Sequence, residues 1–180
     1  MKKILIYINI VFFFLTVSGC SEEFLDRPPL DKQVAASFYK TQEDFERALT
    51  AVYDVLQYQS VGSWAPYGYM QDLLSDDSFA GGSDANDGFE ADQFNTFNIP
   101  ANNQKLQSIW ERNYIGIFRA NLVMERLQDV TLDPQFEART IAECKFLRAY
   151  FHFEQVKYFE NIPLMTATIQ GPSEFAQTQN

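Results

Sequence analysis

Apolar residues recur at helical spacing through most of the chain after residue 40, and they are densest in Ile141–Leu164. On a helix at about 100° per residue, this segment carries two adjacent apolar faces and one narrow polar strip. The first face contains Ala142, Phe146, Ala149, Tyr150 and Phe153. The second contains Leu147, Phe151 and Tyr158, and the polar strip contains Lys145, Arg148, His152 and Gln155. A helix that is apolar around more than half of its circumference needs neighbours on more than one side, so we predict an inner helix of an all-helical fold.

Two further segments show the same periodicity. One begins near Thr41, where Thr41-Gln42-Glu43-Asp44 is close to a capping box, and it continues with apolar residues at helical spacing as far as Leu56. The other runs from about Asn103 to Asp129. Its apolar stripe contains Leu106, Ile109, Trp110, Ile117, Met124 and Leu127, with Tyr114 on the edge. Asn121 falls inside that stripe, and we expect a neighbouring helix to pair its amide, because buried polar groups are hydrogen-bonded.

Only a short turn, Leu132-Asp133-Pro134, separates the Asn103–Asp129 helix from the helix that contains Ile141–Leu164. Two long helices joined in this way form an antiparallel hairpin, which is the repeating unit of tetratricopeptide-like solenoids. We therefore predict an all-α fold with tetratricopeptide-like helical hairpins, although the sequence contains one convincing hairpin of this kind. After Pro163-Leu164 the chain is polar and irregular.

Residues 60–102 interrupt the helical pattern and predict a long irregular loop insertion. Ser60-Val61-Gly62 ends the preceding helix, a short helix is expected at Tyr69–Leu74, and Gly81–Gly88 has the composition of a loop. Four phenylalanines are spread through the remainder: Phe79, Phe89, Phe94 and Phe97. A loop of this length inside a compact domain is usually functional or disordered.

The first 19 residues have the features of a processing segment. Lys2 and Lys3 precede an apolar run of 14 residues, Ile4–Val17, which is shorter than the ~20 residues that a transmembrane helix needs. Val17-Ser18-Gly19-Cys20 resembles a bacterial lipobox, so we predict a lipoprotein signal peptide in residues 1–19 and acylation of Cys20. The alternative is an ordinary signal peptide with a chance cysteine. Residues 20–40 are expected to form an extended tether, since they contain Pro28-Pro29.

The charge of the chain argues against a nucleic-acid partner. There are 14 Lys and Arg against 24 Asp and Glu, a net charge of −10. Removal of residues 1–19 takes away Lys2 and Lys3 and leaves 12 against 24, or −12. This excess of acidic residues argues against a basic surface for nucleic acid or anionic lipid. Acidity alone identifies no ligand.

The sequence offers little catalytic chemistry. His152 is the single histidine, and two nearby cations, Lys145 and Arg148, would make it a poor proton acceptor. No Cys/His spacing resembles a zinc site, and Cys144 is expected to be a small, partly buried thiol. The acidic loop residues, which include Asp84 and Asp87, do not match the spacing of an EF-hand. We therefore expect no catalytic or metal site, and a hydrolase is the least favoured function.

Aromatic and amide side chains in the loop favour ligand binding, because a rigid scaffold often carries its binding residues on loops. Aromatic rings stack on the C–H faces of sugars, while carboxylates and amides bond to their hydroxyls. The ligand-binding candidates are Trp64, Tyr67, Tyr69, Asp76, Asp77, Phe79 and Asn86. The alternative is that these aromatics only fill the seam between the loop and the helices.

Three stretches resemble motifs of the SusD/RagB family, the nutrient-binding outer-membrane lipoproteins of Bacteroidetes. They are FYKTQEDFERALTAVYDVL, the run WxxxYxxIxRAN that starts at Trp110, and the Ile141–Leu164 segment with its FLRA core. Phe24-Leu25-Asp26 with Pro28-Pro29, and Ser75-Asp76-Asp77, are also similar to family sequences. One position departs from the pattern: the family usually has Gly where this chain has Glu160, and Glu reaches positive φ only at a cost.

The resemblance implies a non-catalytic lipoprotein without a cofactor, anchored in the outer membrane through Cys20 and facing the cell surface. It implies that the protein binds a glycan or other nutrient and delivers it to a SusC-like TonB-dependent transporter. SusD-family proteins are much longer, so the resemblance also implies that residues 41–180 correspond to an N-terminal helical domain of such a protein. The alternative function is a helical-repeat scaffold lipoprotein that mediates protein contacts. Which nutrient is bound stays open.

Overall fold

The computed structural model describes residues 38–59, 67–75, 77–84, 86–169, 171 and 174. Contacts within the chain divide it into two units, Met1–Phe38 and Tyr39–Asn180. The description below concerns the second unit. The predicted signal peptide, the predicted acylation site Cys20 and all but the last residues of the predicted tether lie outside the described residues.

The described part of the chain is helical and contains no strand. Its α-helices are α1 (Gln42–Tyr53), α2 (Tyr67–Leu73), α3 (Phe89–Asn95), α4 (Gln104–Leu127) and α5 (Pro134–Phe159), and a 3-10 helix, Asp54–Gln59, continues α1. No helix in these ranges is both long enough and apolar enough to cross a bilayer. The all-α prediction is confirmed.

Helix α1 begins where the sequence predicts. The Thr41 hydroxyl accepts a hydrogen bond from the backbone N–H of Asp44 at 3.2 Å. The Asp44 carboxylate accepts one from the backbone N–H of Thr41 at 2.9 Å. This reciprocal pair is a complete capping box and satisfies two backbone donors at the helix N-terminus. The hydrogen bonds from Thr41 also lower the pKa of Asp44, because they stabilise its ionised form.

The predicted hairpin is formed by α4 and α5, and α1 packs on both helices. Asp133 caps α5 by accepting a hydrogen bond from the backbone N–H of Phe136 at 2.9 Å, and Pro134 occupies the first turn. The two helices approach closely at Gly116, where an added Cβ would lie 2.5 Å from the ring of Phe151. The core between the three helices includes Phe45, Val52, Ile117, Leu147 and Phe151.

The expectation that α5 is covered on more than one side is wrong for the described part of the chain. The buried face contains Phe136, Thr140, Cys144, Leu147, Phe151, Glu154 and Gln155. The other predicted apolar face is open: Phe146 is 69% exposed and Phe153 is 60% exposed. Ala142 and Ala149 are exposed as well. The two apolar faces therefore lie on opposite sides of α5, not side by side as predicted, and α4 and α1 cover one of them.

The region between α1 and α4 is more regular than the sequence predicts. It contains α2, close to the expected Tyr69–Leu74 helix, and α3, which the sequence analysis assigned to the irregular loop. These two short helices form a small core with the first half of α4. Its buried residues are Met70, Leu73, Ala91, Phe94 and Ile109. Phe94 is therefore a core residue and is fully buried.

The residue that replaces the family glycine adopts a glycine-like conformation. Glu160 follows α5 with φ of 60° and ψ of −76°. This combination is close to that of a γ-turn with positive φ, which is rare and strained for a residue with a Cβ. The turn geometry that a glycine would provide is thus retained in this chain at the expense of backbone strain.

After this turn, the C-terminal segment, residues 163–168, runs along the hairpin without regular structure. Side chains of α4 and α5 bind its backbone in place of a pairing strand. The contacts are Tyr114 Oη to Pro163 O (3.0 Å), Met165 N to His152 Nε2 (3.1 Å), Arg148 Nη1 to Thr166 O (2.8 Å) and Thr168 N to Glu125 Oε1 (2.6 Å).

The amide of Asn121 completes this attachment. Its nitrogen donates to the backbone oxygens of Met165 at 3.2 Å and Ala167 at 3.0 Å. Its oxygen accepts from Arg148 Nη1 at 2.7 Å. The prediction of a buried, paired Asn121 is confirmed, and its partners are α5 and the C-terminal segment. The sequence analysis placed Arg148 on a polar strip of the helix. The structure adds that its side chain joins α4 to the C-terminal segment.

Candidate ligand-binding cavity

A cavity of about 460 Å³ opens between α2, the loop after it, and the first turns of α3 and α4. It is within the range of small-molecule sites in proteins. Its lining combines aromatic, amide and charged side chains with backbone: Tyr69, Asn86, Gly88, Phe89, Glu90, Ala91 and Lys105. The loop and the scaffold thus both contribute to the cavity wall.

Asn103 holds the two helices that border the cavity. Its side-chain nitrogen donates to the backbone oxygen of Glu90 at 2.9 Å and to Gln93 Oε1 at 2.6 Å. Its side-chain oxygen accepts from the backbone N–H of Lys105 at 2.8 Å, which caps α4. Because Asn103 is 2% exposed, its amide can serve both helices without competition from water. The positions of Phe89 in α3 and Lys105 in α4 are therefore coupled.

The loop that carries Asn86 is shaped by its own acidic residues. Asp87 Oδ2 accepts from the backbone N–H of Ser83 at 2.9 Å, and Asp84 Oδ1 accepts from that of Asn86 at 2.8 Å. Tyr69 Oη donates to the backbone oxygen of Ala80 at 3.3 Å and ties the loop to α2. The bond between Asp84 and the backbone N–H of Asn86 is an Asx-turn, which stabilises the loop. Within the described residues no group of His, Cys, Asp or Glu side chains is arranged to hold a metal ion.

The structure brings two of the predicted site residues together. Tyr69 and Asn86 both line the cavity. Asp77 and Phe79 are exposed and do not belong to the lining, and Phe79 is 73% exposed. Tyr67 is the first residue of α2, and its side chain lies outside the described structure. The predictions for Trp64 and Asp76 also lie outside the described residues.

Three lining residues with aromatic or charged side chains, Phe89, Glu90 and Lys105, were not candidates on sequence alone. Phe89 was noted as one of several loop phenylalanines, and its 56% exposure now separates it from the buried Phe94. Glu90 and Lys105 carry charge to the same cavity. No local motif marks either residue, because their proximity depends on the packing of α3 against α4. A helical repeat of apolar residues in α3 would have indicated that this segment packs on α4. Helix α3 has seven residues, which are too few to show such a repeat.

The residue types around the cavity suit a polar ligand with apolar faces. Tyr69 and Phe89 provide aromatic surface, the Asn86 amide can donate and accept hydrogen bonds, and Glu90 and Lys105 add an acceptor and a donor. Sugars present C–H faces and hydroxyls together, so this combination matches their chemistry.

A second cavity, of about 260 Å³, lies between α4 and the C-terminal segment. Its lining is almost entirely apolar: Trp110, Tyr114, Ile117, Phe118, Asn121, Met165, Ala167 and Ile169. The one amide there, Asn121, already bonds to Arg148, Met165 and Ala167. The second cavity therefore offers few hydrogen bonds to a sugar.

The nucleophile and base candidates serve structural roles. Both ring nitrogens of His152 are occupied: Nδ1 donates to the backbone oxygen of Arg148 at 2.9 Å, and Nε2 accepts from the backbone N–H of Met165. Burial lowers the pKa of His152. Cys144 is fully buried, which raises the pKa of its thiol to about 12, so the thiolate is not formed near neutral pH.

Comparison with known proteins places this fold in a family. A SusD-like family model, described as starch-binding and associating with the outer membrane, matches residues 23–178. A SusD-like protein of Bacteroides ovatus is 27% identical over 154 residues, which are 84% of this chain and 27% of the relative. SusD-like protein P38 of Formosa agariphila is 26% identical over 172 residues, 87% of this chain and 29% of that protein.

Solved structures show the same relationship. A laminarin-binding SusD-like protein is 37% identical with a TM-score of 0.70, over 76% of this chain and 29% of that chain. Surface glycan-binding protein A from Bacteroides fluxus is 27% identical with a TM-score of 0.65, over 71% of this chain and 28% of that one. The present chain thus spans less than a third of the length of these relatives.

The match with the family model, residues 23–178, covers most of the chain. The hairpin of α4 and α5 and the helices around the cavity lie within the matched residues. The chain belongs to the SusD-like family of starch-binding proteins that associate with the outer membrane.

Proposed function

We propose that this protein is a non-catalytic surface lipoprotein that binds a glycan in the cavity between α2, α3 and α4. In this proposal it is attached to the outer membrane through acylated Cys20 and delivers its ligand to a SusC-like TonB-dependent transporter. The observation that carries the proposal is the convergence of Tyr69, Asn86 and Phe89 on one cavity. Two aromatic rings and one amide group lie together there at the edge of a helical scaffold.

The relatives support the ligand class. The laminarin-binding SusD-like protein and surface glycan-binding protein A both have names that specify a glycan. The first is 37% identical to this chain, which makes laminarin a reasonable first probe. This chain spans 29% of the length of that relative. We therefore assign one wall of a glycan site to this chain. We expect the other walls to be formed by the rest of a SusD-like polypeptide.

Retardation in native gels that contain laminarin, starch or another polysaccharide tests the ligand class. We expect slower migration in at least one gel and loss of that retardation for Trp64→Ala, since Trp64 is the largest aromatic among the loop candidates. If no polysaccharide retards the protein, glycan binding by this chain is wrong. If Trp64→Ala is retarded like the parent, the assignment of Trp64 is wrong and the cavity assignment stands separately.

The lipid anchor has its own test. Metabolic labelling with a palmitate analogue is expected to label the parent chain in the outer-membrane fraction, and Cys20→Ser is expected to remain unlabelled. Stable membrane attachment follows from acylation because each buried CH₂ contributes about 0.8 kcal/mol. Labelling of Cys20→Ser would contradict the assignment.

Delivery to a transporter requires a physical complex. Mild solubilisation of the native membrane should co-purify this protein with a large TonB-dependent barrel. A complex without any barrel protein would contradict this part of the proposal and would favour the alternative, a helical scaffold that binds other proteins.

A further inference from the structure

Charge is unevenly distributed along the part of the chain that forms the larger cavity. The sequence contains no Lys, Arg or His between Arg47 and Lys105. This stretch includes all of α2, all of α3 and the loop between them. Its acidic residues from α2 onwards are Asp72, Asp76, Asp77, Asp84, Asp87, Glu90 and Asp92. The wall of the cavity that precedes α4 is therefore built from a stretch that is acidic and contains no basic residue.

The lining of the cavity carries balanced charge. Among the described residues that line it, Glu90 and Lys105 are charged, and their formal charges cancel. Transfer of an anionic group from water into a partly enclosed site costs free energy unless a cation compensates its charge. The lining has no excess of positive charge for this purpose.

Three further carboxylates lie close to the lining along the backbone. Asp84 Oδ1 accepts a hydrogen bond from the backbone N–H of Asn86 at 2.8 Å, and Asp87 follows Asn86 directly. Asp92 follows Ala91, which is also a lining residue. We call Asp84, Asp87 and Asp92 the acidic rim. Because a cleft bordered by charges of one sign concentrates their field, the acidic rim repels anions that approach the cavity.

We propose that the cavity selects neutral glycans over anionic ones, and that the acidic rim sets this selectivity. The inference rests on the proposed glycan-binding function and adds the charge of the ligand to it. A neutral sugar needs aromatic surface and hydrogen-bonding groups, which Tyr69, Phe89 and Asn86 provide without a cation. A uronate or a sulfate ester adds a negative charge that the acidic rim repels and that the balanced lining does not compensate.

Two derivatives of one polysaccharide test the effect of ligand charge on the full chain. The probes are the hydroxyethyl and carboxymethyl derivatives of laminarin, or of whichever polysaccharide retards the parent in gels, at the same degree of substitution. Their substituents are similar in size, and only the carboxymethyl group is anionic. At about 10 mM salt, where charges interact over about 30 Å, isothermal titration should show at least tenfold weaker binding of the carboxymethyl derivative. At about 1 M salt this range falls to about 3 Å, so the difference should shrink.

The variant Asp84→Asn/Asp87→Asn tests the acidic rim. It removes two charges and keeps the side-chain oxygens that accept from the backbone N–H groups of Asn86 and Ser83. The ratio of the two affinities at low salt should fall at least threefold. Asp92→Asn provides a second variant in case the loop variant does not fold, and it should lower the ratio in the same direction.

Asp129→Asn/Glu137→Gln is the matched control, since it also removes two negative charges. Asp129 follows α4, about 36 Å from Lys105 at a rise of about 1.5 Å per residue, and Glu137 lies in the first turn of α5. Both residues are therefore at the other end of the hairpin, and the ratio of affinities should match that of the parent.

The outcomes separate this inference from the function on which it rests. Equal affinity of the parent for the two derivatives at low salt would overturn the charge selectivity and leave glycan binding in place. A difference that changes neither with salt nor with the rim variants would also overturn it, because charge would not be its cause. If neither derivative nor the unmodified polysaccharide binds, the proposed function fails and the selectivity fails with it.

Discussion

Arg148 in α5 donates a hydrogen bond to the amide oxygen of Asn121 in α4 at 2.7 Å, and both side chains also bind the C-terminal segment. The two residues therefore connect three elements at one point. Because Asn121 is 1% exposed, removal of its side chain takes a buried donor away from the backbone oxygens of Met165 and Ala167.

Asn121→Ala should destabilise the protein by about 2 kcal/mol, since it leaves Met165 O, Ala167 O and one Arg148 donor without a partner. Urea unfolding measures the loss, and hydrogen exchange should show that residues 163–168 open first. Asn98→Ala is the control, because Asn98 is exposed. Equal midpoints for the two variants would contradict the role of Asn121.

How much of this arrangement follows from sequence depends on whether a contact is local. The Thr41 capping box, the bounds of α4 and the pairing of Asn121 were predictable, because a helix period and a cap are local patterns. The partners of Arg148 and His152 were not predictable, since they lie in a segment without a periodic signal. Phe146 shows a further limit: a pattern identifies an apolar face, while burial requires that a neighbour be present.

The candidate site was predictable to a similar extent. Tyr69 and Asn86 were identified because aromatic and amide residues in a long loop favour binding. Phe79 was chosen on the same grounds and lies outside the cavity, whereas Phe89 lines it. Which of these two phenylalanines lines the cavity depends on the packing of α3 on α4. The spacing of residues in the loop does not predict that packing.

His152 should make stability depend on pH. Burial is the main reason that its folded-state pKa lies below 6.5, and the charge of Arg148 lowers it further. The neutral ring is required because Nε2 accepts from Met165 N, and protonation would place a donor against a donor. The stability that this contact contributes is therefore present above pH 6.5 and is lost as pH falls through the folded-state pKa.

NMR titration of the single histidine checks this prediction directly. The Cε1 proton of His152 should titrate below pH 6.5 in the folded protein. His152→Gln should remove the corresponding part of the pH dependence of unfolding. A folded-state pKa at or above 6.5 would contradict the assigned hydrogen-bond roles.

Glu160→Gly should stabilise the protein by about 1 kcal/mol, because glycine relieves the positive-φ strain after α5. Thermal unfolding measures the change. Asn161→Gly provides the comparison: Asn161 is exposed and has no positive φ, so its replacement should be neutral or destabilising. If Glu160→Gly lowers the melting temperature, the backbone at this turn is not strained.

Gly116→Ala should cost about 1–3 kcal/mol, because the added methyl group would meet the ring of Phe151 at 2.5 Å and force α4 and α5 apart. Gly68→Ala is a matched helical control, since among the described residues no atom beyond its chain neighbours and its own helix backbone lies within 4 Å of its added Cβ. That substitution should stabilise by about 0.5–1 kcal/mol through helix propensity. Unfolding curves for the two variants should therefore shift in opposite directions, and shifts of the same sign would contradict the close approach of the hairpin helices.

The most direct test of the central claim compares glycan affinity between two exposed phenylalanines. Phe89 lines the cavity, and Phe97, which is 67% exposed, does not. Isothermal titration with laminarin, or with whichever polysaccharide retards the parent in gels, should show at least a tenfold loss of affinity for Phe89→Ala and parental affinity for Phe97→Ala. Equal affinities for the parent and Phe89→Ala would contradict a glycan site in this cavity.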